Sequence, residues 1–161
     1  MLQRTDELKS DLAIEALQVS GLLRLKVRGN SMLPSLWPGD LVTVQAASFE
    51  NLRSGDIVLY SRDSRFFTHR LQHKTENLIA IGDCMSAADP PIAPSAVLGR
   101  VISVRRYGTE LPVPHFTISR RVQAYLLRRC EFLQRLALWV HAKNVRRSAG
   151  LPKVNPEYAL Q

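Results

Sequence analysis

Between Leu22 and Arg105 the apolar residues come in short runs, and turn-forming residues close one run after another. No other feature of the chain narrows its possible folds as much. "LLRLKVRG" at residues 22–29 sets Leu23, Leu25 and Val27 against Arg24, Lys26 and Arg28, the two-residue period of a half-buried strand. Further β-rich segments follow at Leu41–Gln45, Asp56–Ser61, Phe66–His73, Leu78–Ile81 and Val97–Arg105. Pro38-Gly39-Asp40, Ser54-Gly55-Asp56 and Asp89-Pro90-Pro91 punctuate them. This pattern predicts a mainly-β protein built on a compact antiparallel sheet, not βαβ units.

The flanks have a different period. Residues 5–19 place Leu8, Leu12, Ile14, Ala16 and Leu17 among charges, as in a short amphipathic helix that Gly21 ends. Residues 118–147 contain no Gly or Pro. There Val122, Tyr125, Leu126, Leu133, Leu136, Ala137 and Val140 share a face at three- and four-residue intervals, which predicts a helix. The expected organisation is an N-terminal helix over 1–21, a β-rich domain over 22–115, a basic helical segment over 116–150 and a flexible tail over 151–161.

The chain has 161 residues, enough for one domain with a real core, and carries a net charge of +8. That charge is local. Residues 118–147 hold eight Lys or Arg against the single acid Glu131. With Tyr125, Phe132, Leu136 and Trp139 among the arginines, the segment has the composition of a helix lying on an anionic lipid surface. A helix that packs on the domain or on a second copy would read the same way. No nucleic-acid partner is expected, because no recognised binding motif accompanies the charge.

Cys84 and Cys130 read as free thiols, and their spacing fits neither a disulfide framework nor a metal motif. No apolar run reaches membrane-spanning length, and the N-terminus lacks the apolar centre of a secretory leader. A cytoplasmic protein is expected, with peripheral membrane contact through residues 118–147 as one of the open readings of that segment, and no cofactor.

The chemistry centres on "RGNSMLPSLWPGD" at residues 28–40, where Ser31 follows a Gly-Asn pair and precedes two prolines. A serine hydroxyl attacks only when a base takes its proton, and the base needs an orienting partner. His69 and His73 lie on one probable strand, four residues apart and so expected on the same side. At about 3.3 Å per residue they are too far apart to share a metal. Asp83 and Asp89 in "IGDCMSAADPP" read equally well as turn formers. Pattern alone does not bring these groups together.

A resemblance does. "GNSMLPSLWPGDLVTV" resembles the nucleophile box of the type I signal peptidase and LexA-like serine peptidase superfamily. "LRSGDIVLYSR", "FFTHRL", "AIGDCMSAADPPI" and "VLGRVISV" resemble its later boxes in the same order, so that the likeness spans residues 27–105. Where many members use a lysine as base, this chain reads Thr68-His69-Arg70, similar to the Ser/His, signalase-like branch. The resemblance implies Ser31 as nucleophile and His69 as general base. Asp89 would be the histidine's partner, with Asp83 a structural or second candidate. Gly29, Asn30 and Met32 would lie on the substrate and oxyanion side, the Ser31 N–H serving as a donor.

Imidazole, unlike lysine, can act as a base near neutral pH without strong desolvation. The implied activity is that of a serine endopeptidase cutting an extended peptide, a leader or a maturation partner, through an acyl-enzyme. A LexA-like self-processing regulator and a non-catalytic peptide-binding module of the same fold remain the alternatives.

Overall fold

A computed structural model describes residues 2–149, with the side chains of 2–9 and 149 outside the description. The tail expected at 151–161 therefore lies outside the described residues. Helix α1 (Leu2–Ser20) is followed by seven strands: β1 (Leu22–Lys26), β2 (Leu41–Ala46), β3 (Ile57–Arg62), β4 (Arg65–Lys74), β5 (Leu78–Ile81), β6 (Val97–Arg106) and β7 (Thr109–Leu111). Two helices, α2 (Ile118–Arg129) and α3 (Glu131–Ala149), complete the described residues.

The strands form one antiparallel sheet in the order β1-β2-β6-β3-β4-β5, with β7 added beside β6. The mainly-β expectation holds, and the sheet runs close to the strand boundaries read from the sequence. The short β7 strand was not expected. It pairs with the end of β6 across a turn at Tyr107 and Gly108, both at positive φ.

β3 explains how the core divides. Ile57 and Leu59 bury into one apolar cluster with Leu17, Met32, Leu36 and Val42, while Val58 and Tyr60 bury into a second with Leu71, Leu78 and Ile92. Adjacent residues of a strand face opposite sides, so a strand covered on both faces reads as a continuous apolar run. β2 crosses β6 so closely that a Cβ on Gly99 would collide with the Gln45 carbonyl oxygen. Only glycine fits there, which gives the glycine of "VLGRVISV" a physical reason.

The Pro-Gly-Asp and Ser-Gly-Asp turns share one device. Gly39 and Gly55 adopt positive φ, and the following aspartate accepts the backbone N–H three residues before it, Trp37 to Asp40 and Arg53 to Asp56. Asp40 also takes a two-pronged ion pair from Arg106 on β6, which ties the turn after Ser31 to the sheet.

Two expectations change. The helix over 118–147 is two helices, broken at Cys130, whose backbone is extended at φ −123° and ψ 99°. Neither Gly nor Pro marks the break, so periodicity does not reveal it. His69 and His73 do not follow simple alternation either. The pairing of β4 with β5 shifts register between Leu71 and His73, and His69 is buried while His73 is exposed.

Candidate active site

Three segments meet at the site. The turn after β1 carries Ser31, β4 carries His69, and the loop after β5 carries Asp83 and Asp89. The Cys84 N–H donates to the Ser31 carbonyl (2.8 Å), and the Asp89 N–H donates to the Ala80 carbonyl (2.8 Å), so backbone bonds hold both ends of the arrangement.

Ser31 Oγ lies 2.9 Å from His69 Nε2, and His69 Nδ1 lies 2.6 Å from Asp89 Oδ2. A carboxylate only accepts, so Nδ1 carries the imidazole proton and Nε2 is left to accept from the Ser31 hydroxyl. His69 is buried and Asp89 partly so. The order alcohol, imidazole, carboxylate is the one that activates a serine.

Sequence reasoning missed two residues here. Tyr60 is fully buried, and its hydroxyl sits 3.3 Å from His69 Nδ1. The single Nδ1 proton is committed to Asp89 at the shorter distance, so the phenol's own hydrogen serves the carboxylate. Burial, first, and then the hydrogen bond and charge of Asp89 push the phenol well above its usual range, and it stays a donor. A lone polar tip inside the apolar run "IVLY" was the available signal. Gly82 is the other. A Cβ there would lie 2.7 Å from the Ser31 carbonyl oxygen and 3.0 Å from Ser31 Cβ. The loop can press against the serine only because residue 82 has no side chain.

Asp83 does not join this line. Its side chain is fully buried and takes a two-pronged ion pair from Arg70 (2.8 and 2.9 Å). Arg70 also donates to the Gly55 and Pro114 carbonyls and to Ser35 Oγ. Of the two roles open to Asp83, the structural one matches this geometry. Cys84 is buried, and burial raises its thiol above the usual range. Among the described residues no cluster of three or more His, Cys, Asp or Glu is placed to hold a metal ion.

A groove of about 860 Å³ opens beside Ser31. Leu25, Val27, Met32, Leu36, Val42 and Phe66 give it an apolar floor; Lys26, Arg28 and Arg65 add charge, and Gly29, Ser31, His69 and Asp89 line its reactive end. Gly29 has nothing within 4 Å of its missing Cβ, so it leaves the groove open. Asn30 is exposed and lies outside the lining. Among the described residues, β1 pairs only with β2, and β5 covers β4 only from Arg70 onward. The groove therefore runs between two open strand edges, the surface to which an extended peptide adds as a strand.

A mainly-β sheet that delivers a serine, an imidazole and a carboxylate to one groove has the architecture of the serine-peptidase type. The family model described as Peptidase S24-like matches residues 3–102, and the chain belongs to that family. It is thereby placed in the superfamily of LexA and signal peptidase I-like serine peptidases. A search of curated proteins finds no match.

Proposed function

We propose that the protein is a serine endopeptidase that cuts an extended peptide through an acyl-enzyme at Ser31. The observation that supports this most is the line from Ser31 through His69 to Asp89, at 2.9 and 2.6 Å, at the end of a groove between two open strand edges.

In this reading Ser31 Oγ attacks the scissile carbonyl while His69 Nε2 takes its proton. The imidazolium then gives that proton to the leaving amine as the C–N bond breaks, and a water activated by the same nitrogen hydrolyses the ester. Asp89 holds the tautomer throughout and stabilises the charged ring. The Ser31 N–H makes no hydrogen bond to the described backbone, and in this reading it serves the developing oxyanion, a role in which one donor is worth about 10²–10³ in rate. The family resemblance implies a small residue before the cut, in a leader or a maturation partner.

One observation favours a second reading, self-processing in the manner of LexA. Ser10 and Ala13 of α1 line the same groove, and Ser10 Oγ donates to the Ser64 carbonyl at the β3–β4 turn. Cleavage there would require α1 to unwind first.

The test is to purify wild-type protein, Ser31→Ala and His69→Ala, and follow cleavage of a peptide library by mass spectrometry alongside the intact mass of each protein. Both variants are expected to lose cleavage by at least about 10⁴-fold with an unchanged melting temperature. Retained cleavage in Ser31→Ala overturns the nucleophile assignment. Shortening of the wild-type chain alone favours self-processing. Binding without cleavage by the wild type leaves a peptide-binding module.

A further inference from the structure

Part of the apolar surface of residues 118–147 does not face the domain. α2 docks through Ala124, whose carbonyl accepts from Cys84 Sγ, and α3 docks through His141, stacked on Trp37 and donating from Nε2 to the Pro38 carbonyl. At roughly 100° per residue, Val122 and Leu126 lie about 160° round α2 from Ala124, and Phe132 and Trp139 about 160–180° round α3 from His141. All four are solvent-facing, Phe132 to 72% and Trp139 to 60%. No described element covers them. Exposed aromatic and aliphatic side chains in this number mark a surface that meets a partner.

We infer that this face is seated on an anionic lipid surface. Charge selects the occupant. The two helices carry eight Lys or Arg and one acid, so a second copy presenting the same face would repel the first. Arg129, Arg135, Lys143 and Arg146 are exposed beside the stripe, placed to reach headgroup phosphates while the aromatic side chains enter the acyl boundary. Lys143 Nζ lies 5.1 Å from the Trp139 ring centre and the Arg129 guanidinium 5.8 Å from that of Tyr125, the pairing of aromatic and cation that suits the headgroup level. Among the described residues no helix is long and apolar enough to cross a membrane, so the pair lies in the plane of the surface. Arg128 also donates to the Met85 carbonyl, and Met85 lines the groove, so a seated α2 brings the groove close to the lipid.

The experiment uses the full chain carrying Ser31→Ala, so its outcome does not depend on cleavage. Protein is sedimented with vesicles of phosphatidylcholine alone and of equal parts phosphatidylcholine and phosphatidylglycerol, and its mass in solution is measured by light scattering. Binding is expected only to the phosphatidylglycerol vesicles, weakening as salt rises, with a monomer in solution. Adding Arg129→Gln and Arg135→Gln should weaken it about 25-fold, at about five-fold per charge. Adding Phe132→Ser and Trp139→Ser should abolish it while leaving the melting temperature unchanged. Three results overturn the inference: no binding to either vesicle, equal binding to both, or a dimer that Phe132→Ser disrupts.

Discussion

His69 and Arg70 are neighbours on β4, and their different fates describe the molecule. Each faces one side of the strand, each meets an aspartate from the loop after β5, and each reaches a serine from the turn after β1: Ser31–His69–Asp89 on one side, Ser35–Arg70–Asp83 on the other. The same three segments thus build two parallel constellations. Imidazole can give and take a proton near neutral pH, so the first can do chemistry. Guanidinium keeps its proton at any ordinary pH, and its planar fork matches a carboxylate and carbonyls, so the second can only hold segments in place.

The comparison breaks most sharply if the two aspartates are exchanged for amides one at a time. Asp89→Asn should lower the cleavage rate by about 10⁴, by losing the tautomer that leaves Nε2 free to accept, with little change in melting temperature. Asp83→Asn should act in the opposite sense. It leaves a buried guanidinium uncompensated and should cost about 3–5 kcal/mol. At about 3 °C per kcal/mol the melting temperature should fall by about 9–15 °C, read by calorimetry. Equal effects of the two on rate and stability would show that the sides are not distinct.

Gly82→Ala sharpens the comparison from the loop that serves both sides. The new methyl group must displace Ser31 or Met85, and a shift of about 1 Å at the attacking atom costs about 10²-fold in rate. Steady-state kinetics should show that loss in kcat, with KM nearly unchanged. Tyr60→Phe is the mildest change. Removing the hydroxyl beside Asp89 should cost about 1 kcal/mol of stability and a few-fold in kcat, because the carboxylate keeps its bond to His69. A loss as large as that of Asp89→Asn would assign the phenol a more direct part.

Much of this was legible in the chain. Strand boundaries came from two-residue alternation and glycine turns, because both are local. Ser31, His69 and Asp89 were legible only through the resemblance of ordered boxes, since 38 and 20 residues separate the bonded pairs. Tyr60 and Gly82 escaped notice for opposite reasons. The first looks like core, and the second acts through the side chain it lacks. On residues 118–147 periodicity read one stripe on one helix where the structure has two helices, because periodicity says which residues of an unbroken helix share a face and not where the helix breaks or what the face meets.

By itself, then, the order of residues determined the alternation of strands, the turns that reverse them, the placement of charge in the last helices and the set of side chains able to act. Tertiary structure alone decided that the arginine one step along β4 becomes a clamp on the other aspartate, that the phenol of Tyr60 backs the imidazole, and that Val122, Leu126, Phe132 and Trp139 point outward. The physical reason is range. Propensity, period and turn chemistry operate within a few residues, whereas proton transfer and ion pairing depend on ångström distances between groups that only the folded sheet and its loops bring together.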